Sequence, residues 1–173
     1  GFEPVGLLTS RIDLSGVGIE TPEAAAILLE RIRVAVETVP GVERVSFGDG
    51  HPVDLVGNFT SVSRRDVSDD PVFRTTAEFT RVGEGYFETI GTPILRGRGI
   101  LPTDDLASDP VVLITEGLAN SLWPGEDPVG KRVSSAFSRN GPQMFTVVGI
   151  VGDVAASRPT ENWPNIFFSL DQA

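Results

Sequence analysis

Residues that could do chemistry are few in this chain. The one histidine, His51, sits in Gly-Asp-Gly-His-Pro, a turn-forming string in which Asp49 lies close by. Any Ser–His–Asp relay must use it, yet no Gly-x-Ser-x-Gly elbow presents a nucleophile to it. His51 is therefore read as a solvated or capping turn residue. The densest acidic cluster is Asp104, Asp105 and Asp109, with Asp69 and Asp70 as a second pair. Calcium takes about six to eight oxygens in a defined geometry, and the EF-hand spacing is absent. These aspartates are read as exposed, turn-forming and solubilising groups that hold no metal. The glycines fit neither Gly-x-x-x-x-Gly-Lys-Ser/Thr nor a strand followed by Gly-x-Gly-x-x-Gly, so no cradle for nucleotide phosphates is recognised. With no cysteine, thiolate catalysis, zinc–thiolate sites and disulfides are excluded. Trp123 and Trp163 each precede a proline. An aromatic closing a helix end against a core is the first reading, and a partner anchor is the alternative, stronger for Trp163. No catalytic, cofactor-binding or metal-ligating residue is assigned.

The bulk numbers narrow the class. The 173 residues carry 24 acidic and 14 basic side chains, a formal net charge of −10. Binding to nucleic-acid phosphates requires a concentrated basic surface, so no nucleic-acid partner is expected. Hydrophobic residues make up 40% of the chain, enough to bury a core. Nineteen glycines and thirteen prolines point to many short elements joined by turns. Neither a signal-peptide pattern nor a run of about 18 apolar residues appears within these 173 residues. Gly1 leads almost directly into a strand-like segment, so the chain is expected to have been cut from a longer polypeptide.

The elements that must position any site follow from periodicity. Leu7 to Leu14 alternates as a strand, with Leu8, Ile12 and Leu14 on one face. Thr21 is an N-cap ahead of Pro22, and a helix to about Thr38 carries the stripe Leu28, Ile32, Ala35, Val36 and Val39. Val42 to Phe47 alternates again, giving a strand–helix–strand unit. Its strands are expected to share a sheet with Phe145 to Val151, and Ile32→Asp is expected to unfold the domain. Asn58 to Val62 and Phe73 to Val82 read as strands. A short helix near Glu84 to Ile90 should bury Tyr86 and Phe87. Pro93 to Arg96 is extended, and Val111 to Ile114 is a short buried strand. Thr115 caps a helix with Leu118 and Leu122 one turn apart, stopped by Pro124-Gly125. Phe145 to Val151, apolar on both faces, reads as a central strand, and Asn165 to Leu170 as the last one. Strict βα alternation is absent, so the fold class is α+β.

Three segments in this order resemble one family: GYFETIGTPILRGRG at 85–99, VVLITEGLANSLWPGEDPVGKRV at 111–133, and FTVVGIVGDV at 145–154 with the later IFFSL string. The opening, with its Thr-Pro-Glu helix start and VPGVERVSF at 39–47, fits as well. Together they are similar to the periplasmic core domain of MacB-like, FtsX-like ABC-transporter permeases, over nearly the whole chain. The resemblance implies porter-like βα units sharing a sheet, at residues 1–50 and about 135–173. A strand-rich second part is inserted at about 51–134. It also implies a place on the extracytoplasmic side of the bacterial cell membrane, anchored by transmembrane helices outside this chain. The implied partners are those helices, a cytoplasmic ATPase acting indirectly, and a second permease protomer or pseudo-protomer. A periplasmic adaptor or substrate is a further candidate. The implied function is non-catalytic coupling of ATP hydrolysis to export or partner binding. Family members continue past the IFFSL strand through a further strand and helix, so part of the C-terminal half is expected to be missing. Two rivals stand beside this reading, a stand-alone secreted binding module and an unrecognised hydrolase.

Overall fold

Thr21 opens the first helix as its place before Pro22 predicts. Its hydroxyl accepts the Ala24 N–H at 3.2 Å, and α1 runs Pro22–Glu37. The computed structural model describes residues 5–14, 16–19, 21–50, 58–64, 74–136, 143–153 and 164–172. Strands follow at β1 (Asn58–Arg64), β2 (Arg74–Val82), β3 (Ile94–Gly97), β4 (Val111–Thr115), β5 (Arg132–Ser135), β6 (Gln143–Val151) and β7 (Asn165–Ser169). Two further helices, α2 (Tyr86–Thr89) and α3 (Glu116–Leu122), lie between them. The result is a mixed α/β fold.

The seven strands form one sheet in the order β3-β6-β4-β7-β2-β1-β5, and β5 pairs with β6 as well as with β1. Six strands therefore close into a ring, β6-β4-β7-β2-β1-β5, while β3 continues from the far half of β6. Each strand of that ring sends residues into one buried cluster: Val62, Ala77, Val112, Val133, Phe145 and Ile166 among them. This cluster is the interior of a small barrel. Leu118, Ala119 and Leu122 of α3, with Trp123, complete it. Thr115 precedes α3, but its hydroxyl is taken by the Asn165 N–H at 3.0 Å. Asp153, just beyond β6, caps the helix instead by accepting the Gly117 N–H at 2.9 Å. A second cluster lies on the outer face, where Tyr86, Phe87 and Ile90 cover Leu113, Val151 and Phe167. The short helix with a buried Phe87 thus stands where the aromatic spacing puts it.

One irregularity lets β6 serve both clusters. Val112 pairs with Val147, but Leu113 pairs with Gly149, leaving Val148 as an extra residue. Phe145 and Val147 face the barrel before this bulge, and Ile150 faces it after. The side-chain parity has flipped.

The N-terminal part departs from expectation. No strand forms at 7–14 or 42–47, and Leu8 is 92% exposed. Alternation specifies a strand only where another strand's backbone groups lie within reach. Here the links to the sheet include a bridge between Gly48 and Val82, with the Gly83 N–H donating to Phe47 O at 2.9 Å, hydrogen bonds between Asp49 and Arg81, and Leu7 packed on the outer cluster. Nor does α1 cover β6. Leu28 and Ile32 are half-buried, Val36 is exposed, and no α1 residue belongs to either cluster. An aspartate at position 32 would find water, so Ile32→Asp is not expected to unfold the domain.

Candidate functional site

The expected exposed aspartates divide sharply. Asp105 and Asp109 are exposed, but Asp104 is only 4% exposed. The cause lies six residues back, where Arg98 returns across the β3–β4 loop. Its guanidinium meets both Asp104 carboxylate oxygens, at 2.6 and 2.9 Å, and the Leu101 N–H donates to one of them at 2.8 Å. Such a forked pair is among the stronger polar contacts a protein makes. Asp104 is a loop-organising residue, and its oxygens are already engaged. Burial alone would push its carboxyl up, but the hydrogen bonds from Arg98 and Leu101 and the arginine's charge outweigh this and hold it below the usual range.

A carboxylate whose folded pKa is depressed contributes stability above its unfolded pKa of about 3.9, and that contribution is lost as pH falls through the lower folded value. Asp104→Asn is therefore expected to cost about 1–3 kcal/mol near neutral pH. Urea titrations of both proteins should converge as the pH drops below the wild-type folded pKa.

Trp123 is fully buried and closes α3 against the barrel, so the partner-anchor alternative fails for it. Arg64 and Lys131 each approach its ring to 5.8 Å from the centroid. Arg64 also donates to Leu122 O at 3.0 Å. Lys131 pairs with Glu126. These contacts fix a corner of the barrel. His51, Asp69, Asp70 and Trp163 lie outside the described residues. Among the described residues no group of three or more His, Cys, Asp or Glu side chains is placed to hold a metal ion.

The surface feature most suited to a partner is apolar. Val5, Leu8, Ile12, Val17, Ile27, Val34, Val36 and Val39 are all exposed within the first 39 residues, against four large exposed apolar residues elsewhere in the described chain. Among the described residues no helix is long and apolar enough to cross a membrane.

Residues 9–173 match the family described as the MacB-like periplasmic core domain. A curated relative, the macrolide export ATP-binding/permease protein MacB of Aggregatibacter actinomycetemcomitans, is 32% identical over 79 residues. That match takes in 46% of this chain and 12% of the relative. Among solved structures, the periplasmic region of MacB from Actinobacillus actinomycetemcomitans superposes with a TM-score of 0.55 at 18% identity. It covers 83% of this chain and 55% of that one. The extracellular domain of the noncanonical ABC-type transporter YknZ from Gram-positive bacteria gives 0.52 at 16% identity, covering 82% and 62%. At these identities the superpositions speak for the fold. The chain spans little more than half of either solved structure.

Proposed function

The chain belongs to the family of MacB-like periplasmic core domains, and on that premise we propose that it couples ATP hydrolysis in the cytoplasm to export or partner binding outside the membrane. The observation that carries this reading is the family match, which takes in nearly the whole chain. In this reading the domain is non-catalytic and has no catalytic, cofactor-binding or metal-ligating residue. Transmembrane helices beyond this chain anchor it on the periplasmic side. Its partners are those helices, an ATPase acting through them, and a second permease protomer or pseudo-protomer. A periplasmic adaptor or substrate is a further partner. The concentration of exposed apolar side chains in the first 39 residues supports a domain that works in contact with other polypeptide.

The proposed two-part organisation keeps residues 1–50 and about 135–173 as the porter-like part, with about 51–134 inserted. Strands from both stretches share the sheet, so in this reading the parts are joined through it. The domain's contribution must be differential: its position or its contacts change between the nucleotide states of the transporter.

The experiment replaces residues 5–172 by a flexible linker in the parent permease, and measures ATP binding by the isolated chain alongside. The isolated chain should bind no ATP, and the shortened transporter should reach the membrane but lose export. Undiminished export by the shortened transporter would overturn the proposal.

A further inference from the structure

The last turn of the described chain is fastened by a single side chain. β7 ends at Ser169 and passes into a 3-10 turn, Leu170–Gln172, that buries no residue. Gln172 uses both ends of its amide. Its Oε1 accepts the Val111 N–H at 3.0 Å. Its Nε2 donates to Ser108 Oγ at 2.7 Å and to the carbonyls of Asp109 and Asp105 at 3.0 and 3.2 Å. Two protons serve three acceptors there, so the contacts are shared and exchangeable. Just before the turn, Ser169 donates to Asp104 O at 2.9 Å. The end of β7 is thus tied to the β3–β4 loop at 98–110, which Arg98 and Asp104 brace from within.

Charge opposes this fastening. Asp171 lies close enough to Asp105 to feel its field; partial loss of hydration first, and the Asp105 charge second, push the Asp171 carboxyl above the usual range. The remaining charged groups of the loop are Arg98 and Asp104, which engage each other, and Asp109.

We propose that the turn at Leu170–Gln172 and the loop at 98–110 form a releasable latch, held shut by the Gln172 amide and opposed by the charge of Asp171, which closure holds partly out of water and beside Asp105. The contacts that hold the turn itself are polar, partly exposed and concentrated on Gln172, while the buried Ser169 hydroxyl stays with β7, so opening would leave the barrel core intact. Because the closed latch raises the Asp171 pKa, protonation favours closure, and closure weakens as pH rises through that raised value. The latch stands on these contacts and not on any transport role. It supplies the domain with a two-position element of the kind that motion between states requires.

Amide hydrogen exchange on the whole chain at fixed neutral pH tests this, comparing wild type with Gln172→Ala and Asp171→Asn. Gln172→Ala should speed exchange of the Val111 amide and of residues 98–110 by about tenfold, leaving β1, β2 and β5 unchanged. Asp171→Asn should slow exchange of the same amides. The proposal is overturned if Gln172→Ala leaves Val111 and the loop unchanged, or speeds exchange equally across the barrel. It is equally overturned if Asp171→Asn exchanges no more slowly than wild type.

Discussion

Gly149→Ala is expected to destabilise the domain by about 3 kcal/mol or more, an overpacking cost at the upper end of its range. Gly149 follows the bulge in β6 and pairs with Gly97 of β3. A Cβ there would overlap Arg98 O and stand 2.9 Å from Leu113 Cδ2. The leucine could turn, but the backbone oxygen cannot withdraw. Arg98 N–H donates to Val148 O at 2.9 Å, and its guanidinium is held by Asp104. The reciprocal change, Gly97→Ala, would overlap Val148 O from a backbone with φ of +74°. Gly125 supplies the control: its φ is +75°, but nothing lies within 4 Å of its missing Cβ. Gly125→Ala should cost only the left-handed backbone penalty, about 1–2 kcal/mol. Urea midpoints of the three variants separate the effects. Equal losses for Gly149→Ala and Gly125→Ala would mean that β3 does not approach β6 this closely.

Phe168→Ala should cost about 3–5 kcal/mol, a large share of the roughly 5–15 kcal/mol that a domain possesses. Phe168 is 2% exposed and meets two other rings edge-on: Phe145 at 4.9 Å and Phe79 at 5.9 Å between centroids. These three come from β7, β6 and β2, three different strands of the ring. Truncation would leave a void inside a closed ring, where no strand can move inward without breaking its pairing with two neighbours. Thermal unfolding measures the loss. A drop equivalent to less than about 1 kcal/mol would contradict the closed, filled barrel.

The parts of the fold that were legible in the sequence are those where burial alone decides. Val111 to Ile114 and Phe145 to Val151 are apolar on both faces, and only an interior strand explains that. Tyr86, Phe87 and Leu118 with Leu122 announced short helices by spacing. Closure of the barrel was not legible. β5 has one apolar residue, Val133, among Arg132, Ser134 and Ser135, and its role comes from pairing on both sides with β1 and β6. Conversely, residues 7–14 and 42–47 alternate well, but among the described residues no strand pairs along them. The brace between Arg98 and Asp104 also escaped. Nothing in a six-residue separation on a loop says that two side chains will meet, and an aspartate beside a second aspartate reads as solvated. The Gln172 contacts reach more than 60 residues back and leave no local trace.

The central claim is that the domain transmits motion, and the chain lends itself to one direct measurement because it contains no cysteine. A cysteine is placed on the outer domain of each of two protomers, at facing surface positions that separate during the transport cycle. Oxidation locks one state, and reduction releases it. Transport should stop when the crosslink is formed and return when it is reduced. Export at the full rate, with the crosslink shown to be complete, would contradict the claim.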